Sequence, residues 1–115
     1  MINSDISDLR YQCWDVPEPK AVFLLVHGLG GHVGRWEPLA DYFKVRGISS
    51  YALVLRGFGD DPGLKGHIDS FSVYLSDIES LVSIIRKQHP RTRVFLIGES
   101  LGGLICFLAA ARKGR

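Results

Sequence analysis

The 115-residue sequence has little of several features that would assign a protein to a class at once. Its only cysteines, Cys13 and Cys106, lie far apart within apolar-rich segments, so we expect two free thiols that pack as small hydrophobes. No apolar run approaches the length of a membrane span, and residues 1–5 have neither the basic start nor the apolar run of a signal peptide. We therefore expect a protein of the reducing cytoplasm.

A strong charge of either sign is also missing, since the formal net charge is only +2. Lys and Arg are scattered apart from a small cluster over 112–115, and no basic stripe with interleaved aromatics predicts a nucleic-acid partner. No spacing is typical of metal ligands, and a dinucleotide-binding Gly-x-Gly-x-x-Gly starting at Gly28 would need glycine where Val33 stands. We predict no cofactor and no metal.

Buried strands are the clearest feature that is present. The composition, with 46% hydrophobic and 23% charged residues, is typical of one globular domain. Leu9–Val16 has the near alternation of a short outer strand and ends at a turn containing Pro17 and Pro19. The following apolar runs predict strands that are covered on both faces, over Ala21–Val26, Ile48–Leu55 and Arg93–Gly98.

Helical patterns alternate with these strands. Apolar residues recur at helical spacing after Trp36 and stop at Gly47, and a third helix is predicted over Leu101–Ala111, apolar on nearly every side. The second helix, over Ser70–His89, should bury an apolar stripe and direct its polar residues, Asp77 among them, elsewhere. The alternation predicts an α/β fold with a mostly parallel sheet and helices on both faces.

The junction between the last strand and the last helix has the pattern of a nucleophile elbow. In Gly98-x-Ser100-x-Gly102 the glycines allow the strand and helix backbones to approach closely, and the sharp turn exposes the serine hydroxyl. We predict that Ser100 is a catalytic nucleophile. The alternative is an ordinary serine that caps the helix.

Acyl transfer by a serine also needs N–H donors for the oxyanion. The N–H of Leu101 lies at the positive end of the predicted helix, and a loop at the same edge of the sheet, rich in glycine, could present the N–H of Leu29. Gly28 and Gly30 would free this backbone. His27, directly before it, is interpreted as a residue that supports the loop and not as the catalytic base.

Four linked motifs resemble the monoacylglycerol lipase and lysophospholipase branch of the α/β-hydrolases. In order along the chain they are His27-Gly28-Leu29-Gly30-Gly31-His32-Val33-Gly34-Arg35-Trp36, Arg56-Gly57-Phe58-Gly59, Gly66-His67-Ile68-Asp69-Ser70-Phe71 and Gly98-Glu99-Ser100-Leu101-Gly102-Gly103. The resemblance implies that Ser100 is the nucleophile and that the N–H groups of Leu29 and Leu101 form the oxyanion hole. Members of that family often have histidine at Glu99 and an acidic residue at Gly31, so substrate preference can differ here. They also often have an aspartate near Val54, and its loss removes a polar anchor for the loop that begins at Arg56.

The same resemblance implies that residues 1–115 form a partial domain, the N-terminal half of an α/β-hydrolase. The acid and the catalytic histidine would come from the second half, in the same polypeptide or in a second fragment. A surrogate triad from His67 and a nearby aspartate is a minor alternative; His32, His67 and His89 are interpreted as surface or loop histidines.

The expected activity is hydrolysis of a small-molecule or lipid carboxylic ester, with at most peripheral membrane contact. Alternatives are an aminopeptidase, thioesterase or acyltransferase of the same superfamily, or a non-catalytic binding module.

Overall fold

The computed structural model describes residues 2–5, 9–27, 36–55, 72–99 and 101–112. These residues form five strands and three helices. In chain order the elements are β1 (Ile2–Asp5), β2 (Leu9–Trp14), β3 (Ala21–Val26), α1 (Glu37–Val45), β4 (Ile48–Leu53), α2 (Ser72–Gln88), β5 (Val94–Gly98) and α3 (Leu101–Arg112). None of these helices has the combination of length and apolarity needed to cross a bilayer.

The strands form one mixed sheet in the order β1-β2-β4-β3-β5. The inner strands β4, β3 and β5 are parallel, whereas β1 and β2 are antiparallel to their neighbours. The chain passes from β3 to β4 on one side of β3 and then returns to β5 on the other side. The strand order thus reverses at β3, and in open α/β sheets ligands bind at such a point, outside the carboxyl ends of the strands.

Helices cover both faces of the sheet, as the sequence predicts. Alternate residues of β3 explain how: Leu24 belongs to the core under α2 and α3, and Leu25 belongs to the core under α1. The core under α2 and α3 is the larger of the two. It contains Leu9, Tyr11, Val22, Leu24, Val26, Tyr51, Leu53, Leu55, Tyr74, Leu75, Ile78, Leu81, Ile85, Ile105, Cys106 and Ala109.

The residues at the two ends of α1 agree with the signals for the start and the end of a helix in the sequence. A proline, Pro38, lies in the first turn, where its missing N–H removes no helical hydrogen bond. After the helix, Gly47 has a φ of +79°, a left-handed conformation that favours glycine. A Cβ at this position would also lie 3.2 Å from Lys20 Cε, so a side chain there would be strained and crowded.

Two expectations need correction. The strand over Leu9–Trp14 is not the outer one, because β1 pairs with it on the far side. The prediction that Asp77 faces away from the core is wrong, because this residue is only 5% exposed, and it has an interaction partner. The third helix is apolar on nearly every side, as predicted, and its Leu104 and Phe107 are 50% and 69% exposed.

Candidate active site

The candidate site lies at the carboxyl edge of the parallel strands. There β3 ends at Val26, β5 ends at Gly98, and α3 begins only three residues later, at Leu101. The positive end of the α3 dipole therefore lies at this edge, where it favours negative charge. Strand, short turn and helix occur in the order that a nucleophile elbow requires.

Two backbone hydrogen bonds close the junction between β5 and α3. The N–H of Glu99 donates to the carbonyl oxygen of Val26 over 3.1 Å, which extends the pairing of β5 with β3 by one residue. The N–H of Gly102 donates to the carbonyl oxygen of Glu99 over 2.9 Å. Main-chain hydrogen bonds therefore tie Glu99 to the end of β3 and to the first turn of α3.

The backbones around this turn approach so closely that glycine is required at two positions. A Cβ on Gly98 would collide with the main chain of Gly102 and Gly103. A Cβ on Gly102 would collide with the carbonyl oxygen of Val26 and would lie 2.7 Å from that of His27. Since main-chain atoms of a sheet edge cannot move aside as a flexible side chain can, the junction excludes any side chain there.

A third glycine in the same segment, Gly103, is not under this constraint. A Cβ there would meet the nearest atoms, the carbonyl oxygen and carbon of Gly98, at 3.6 and 3.8 Å, which is ordinary van der Waals contact. The close approach is therefore specific to Gly98 and Gly102, the two glycines of the Gly-x-Ser-x-Gly pattern.

His27 is the first residue after β3, and its side chain is fully buried. Its Nε2 accepts a hydrogen bond from the backbone N–H of Leu55 over 3.2 Å. Leu55 lies just beyond the end of β4, so the imidazole connects the carboxyl ends of two neighbouring strands. The sequence indicates support by His27, but it carries no signal for Leu55, which takes part only through its main chain.

The remaining predicted site residues lie outside the described residues. These are Ser100, Leu29, Gly28 and Gly30, together with His32, His67 and the aspartates of the surrogate triad. For Leu101 the structure describes the start of the helix and not the side chain. The roles of nucleophile, oxyanion donors and loop support therefore stay predictions, and the described residues define the frame around them.

Two thiols are the other candidate nucleophiles of the described chain. Burial raises the pKa of the Cys106 thiol from its ordinary value of 9.0 to about 11, and burial does the same for Cys13. At neutral pH almost none of either thiol is present as the reactive thiolate. Both cysteines are free, as the sequence predicts.

A second group of serine, carboxylate and histidine lies at the opposite, amino edge of the parallel strands. Ser49 Oγ lies 2.5 Å from Asp15 Oδ1, and His89 Nε2 lies 3.1 Å from the same oxygen. The carboxylate thus lies between the hydroxyl and the imidazole, whereas a catalytic triad needs the imidazole next to the hydroxyl. Ser49 is also fully buried and cannot meet a substrate.

An apolar groove of about 830 Å³ lies between α2, β5 and α3. Its walls include Val82, Leu96, Cys106 and Phe107. Within the described part of the sheet, β5 is an edge strand, and its Phe95 is 45% exposed. Among the described residues, the groove and this edge together form a partly uncovered apolar surface.

Comparison with known protein sequences identifies a family. Residues 17–115 match the sequence profile of the Hydrolase_4 family, described as serine aminopeptidase, S33. The monoglyceride lipase of Rattus norvegicus is 33% identical over 114 residues, which cover 98% of this chain and 38% of that protein. The monoacylglycerol lipase of Mycolicibacterium smegmatis is 35% identical over 103 residues, which cover 89% of this chain and 37% of that protein.

Solved structures give the same result for the fold. A soluble variant of monoglyceride lipase from Saccharomyces cerevisiae, in complex with a substrate analog, superposes with a TM-score of 0.82 at 27% identity and covers 97% of this chain and 38% of its own. The monoacylglycerol lipase of Paleococcus ferrophilus superposes with a TM-score of 0.72 at 30% identity and covers 92% of this chain and 38% of its own. The chain therefore spans 37–38% of the length of these four proteins.

These comparisons confirm the resemblance that the four motifs indicate. The mixed sheet with helices on both faces is the architecture of these structural neighbours, and the chain corresponds to the N-terminal part of their fold. The chain belongs to the serine aminopeptidase S33 family of the α/β-hydrolases.

Proposed function

We propose that this chain is the nucleophile-bearing part of a serine hydrolase that cleaves carboxylic esters of the monoacylglycerol or lysophospholipid type. One observation carries the proposal: the main chains of β3, β5 and α3 converge at Gly98 and Gly102 so closely that neither position can hold a side chain. A sheet that only needed a strand-to-helix connection would not require this approach. A serine that must be exposed from a sharp turn does require it.

In the proposed reaction the hydroxyl oxygen of Ser100 attacks the ester carbonyl carbon. The carbonyl oxygen becomes an oxyanion, which would accept hydrogen bonds from the N–H groups of Leu29 and Leu101. When the oxyanion collapses, the bond to the alcohol oxygen breaks, and the proton taken from Ser100 by a general base passes to the departing alcohol. Water, activated by the same base, then hydrolyses the acyl-enzyme and restores the serine.

The proposal assigns the base and its acid partner to a part of the fold beyond these 115 residues. Relatives for which this chain covers 37–38% of the length support that division. A serine hydroxyl without a base is a poor nucleophile at neutral pH, so we expect the 115-residue chain alone to be inactive or nearly so. The complete fold would be active.

Esters are proposed ahead of amides because the relatives named above are lipases. The family description, which names an aminopeptidase, favours amide hydrolysis as the second candidate. An ester, an amide and a thioester with the same acyl group, assayed side by side on the full-length protein, separate these activities. A kcat/KM for the amide that exceeds the ester value would overturn the ester proposal.

A fluorophosphonate probe tests the nucleophile directly, because it reacts with serines that are activated by a base. We expect the full-length protein to be labelled on Ser100, as located by peptide mass spectrometry, and Ser100→Ala to lose the label. The isolated 115-residue chain should not be labelled. If the folded full-length protein is not labelled either, the hydrolase proposal fails and a non-catalytic binding module takes its place.

The proposal also includes a location. We propose a cytoplasmic protein that meets a lipid ester by peripheral contact with a membrane. Fractionation of cells into cytosol and membrane pellet, with a salt wash of the pellet, tests this: a protein released only by detergent would contradict it.

A further inference from the structure

Exposed cations of the described chain gather at the amino edge of the parallel strands, opposite the candidate active site. We infer that this edge docks an acidic segment of another protein, with Tyr42, Val45 and Arg46 as its anchor. This surface and its partner go beyond the proposed function. They can be tested whether or not the protein cleaves esters.

The fold brings together cations that are scattered in the sequence. Helices α1 and α2 both end at the amino edge, and β3, β4 and β5 all start there. Seven exposed side chains at these helix ends and strand starts form what we call the basic edge: Lys20, Lys44, Arg46, Arg86, Lys87, Arg91 and Arg93. Its described carboxylates are Glu18 and Asp15, and Asp15 is bonded to Ser49 and His89. Because the whole chain has a formal net charge of only +2, the remaining residues have a net negative charge, and the positive charge is concentrated at one end.

Main-chain hydrogen bonds set the spacing of these cations. The N–H of Lys20 donates to the carbonyl oxygen of Gly47 over 2.8 Å, and the N–H of Val22 donates to that of Arg93 over 3.0 Å. Since neighbouring strands lie about 4.8 Å apart, the starts of β4, β3 and β5 place the main chains of Arg46, Lys20 and Arg93 within about 10–15 Å of one another. This is close to the screening length of about 10 Å at 0.1 M salt, so a partner meets these charges as one surface.

The helix dipoles explain only part of the basic edge. Lys44 lies in the last turn of α1, and Arg86 and Lys87 lie in the last turn of α2, where the negative end of the dipole favours cations. Lys20 and Arg93 lie at strand starts instead, and a sheet has only a small net dipole. None of the seven cations forms an ion pair with a described carboxylate. An acidic partner would supply the missing opposite charge.

The end of α1 adds an apolar and an aromatic contact to this charge. Val45 is 83% exposed, and Tyr42 is 53% exposed. The guanidinium carbon of Arg46 lies 3.7 Å from the centre of the Tyr42 ring, and its Nη1 donates to the Tyr42 carbonyl oxygen over 3.1 Å. These contacts order the arginine before a partner binds, which reduces the entropy that binding costs. Tyrosine and arginine are also among the residue types that contribute most to protein–protein interfaces.

The position of the basic edge favours a protein partner over a bilayer. The candidate active site lies at the other end of the strands, and a six-residue strand such as Ala21–Val26 spans about 20 Å. A bilayer at the basic edge would therefore turn the candidate site away from a lipid substrate, a step that rests on the proposed function. Nucleic-acid binding would favour aromatics that are free to stack bases, whereas the Tyr42 ring already carries Arg46. The carboxylates of an acidic protein segment can pair with the guanidinium groups while the candidate site stays open.

The test measures binding of the full-length protein to a fluorescent peptide of Glu and Asp residues with a central leucine. About ten residues are enough to span the edge, at about 3.3 Å per residue. We expect fluorescence anisotropy to show binding at low salt that weakens as salt is added, and no binding of the same peptide with Gln and Asn in place of the acids. Lys20→Gln combined with Arg93→Gln should weaken binding by about 10-fold. A failure of the parent protein to bind the acidic peptide would overturn the inference.

Ser76→Glu combined with Ser80→Glu is the matched control. It lowers the net charge by the same amount, on one face of α2 and away from the helix end. Binding should change by less than about 2-fold, because the basic edge itself is unaltered. Equal losses in the two double variants would mean that only the net charge matters, and the basic edge would then not be a site.

Two single variants separate docking from simple attraction of anions. Arg46→Lys keeps the charge but removes the planar group that stacks on Tyr42, and Val45→Ser removes the exposed apolar contact. Each should weaken peptide binding by about 3-fold. If neither variant weakens it, the edge attracts anions without forming a docking site, and the inference fails.

Further probes decide the class of partner. Vesicles of phosphatidylcholine with phosphatidylserine, and a DNA duplex, are compared with the peptide at the same ionic strength. Tighter binding of either one than of the peptide, lost in Lys20→Gln with Arg93→Gln, would overturn the choice of an acidic protein segment. A saturating amount of peptide should leave fluorophosphonate labelling of Ser100 unchanged, whereas slower labelling would place the peptide at the carboxyl edge and contradict the inference. If Ser100 is not labelled in any sample, the proposed function fails, and the peptide measurements still decide the inference.

Discussion

The two edges of the parallel strands are held together in different ways. At the carboxyl edge the main chains of β3, β5 and α3 meet directly, with glycine at 98 and 102 and one buried imidazole between strand ends. At the amino edge side chains make the connections: Asp15 bonds Ser49 and His89, and Tyr51 donates its hydroxyl to Gln88 Oε1 over 2.9 Å.

The amino edge holds the residue types of a serine hydrolase, but its geometry excludes that chemistry. Asp15 lies between Ser49 and His89, so the His89 imidazole is not placed to take the serine proton. The carboxyl edge shows no complete triad among its described residues, yet it has the main-chain geometry that exposes a nucleophile. The close approach of main chains at the carboxyl edge therefore identifies the candidate active site better than a group of catalytic residue types does.

The largest effect is expected from Gly102→Ala, which tests the main-chain approach. The new Cβ would collide with the Val26 carbonyl oxygen and lie 2.7 Å from that of His27, so α3 must move away from β3. We expect fluorophosphonate labelling of the full-length protein to slow by at least about 100-fold, as for a misplaced nucleophile and oxyanion donor.

The control, Gly103→Ala, is one residue further along the same helix. Its Cβ would meet Gly98 only at 3.6 and 3.8 Å, and alanine is a better helix former than glycine by about 1 kcal/mol. Labelling should be unchanged, and the thermal midpoint should stay the same or rise. Equal loss of labelling in both variants would show that the approach at Gly102 is not the critical one.

Those parts of the fold whose side chains follow an apolar pattern could be predicted from the sequence. β3 is predicted to the residue, because Ala21–Val26 is buried on both faces and therefore apolar throughout. β1 has no such pattern: Ile2–Asp5 is largely polar and pairs with β2 through main-chain bonds, which any residue type can make. The link from His27 to Leu55 escapes sequence analysis for the same reason.

Two side chains of the helices show what residue type alone cannot decide. Asp77 lies three residues after Tyr74 and four before Leu81, both buried, so helical spacing places it on the core face of α2 and only its carboxylate favoured a polar surface. The exposed Phe107 shows the reverse case, in which an apolar residue lies outside the core formed by the described residues. The neighbours that decide the burial of Phe107 are distant in sequence, so no local signal could have assigned it.

A smaller effect is expected from Asp15→Ala, which tests the side-chain connections of the amino edge. The change removes the acceptor of Ser49 Oγ and the partner of His89, and it should lower the free energy of unfolding by about 1–2 kcal/mol. Because these residues are remote from the carboxyl edge, labelling per folded molecule should not change.

Urea unfolding of the full-length protein measures this loss, and Asp41→Ala, an exposed carboxylate on α1, is the control. Asp41→Ala should stay within about 0.5 kcal/mol of the parent protein. A fall in labelling per folded molecule for Asp15→Ala would contradict the expectation that the amino edge does not affect the carboxyl edge.

The smallest effect is expected at Ser50, which is the direct neighbour of Ser49 on β4 and equally buried but on the other face. Ser49 Oγ is bonded to Asp15 and to the Val16 N–H, whereas Ser50 Oγ finds no hydrogen-bond partner among the described residues.

Burying an unbonded hydroxyl is unfavourable, so Ser50→Ala should leave the free energy of unfolding unchanged or raise it by up to about 1 kcal/mol. Ser49→Ala should lower it by about 1 kcal/mol, since it removes the hydrogen bonds of Ser49 Oγ to Asp15 and to the Val16 N–H. The pair, compared by urea midpoint, differs in hydrogen bonding while sharing residue type, strand and burial. A destabilised Ser50→Ala would mean that its hydroxyl has a partner outside the described residues, and the contrast between the two serines would then disappear.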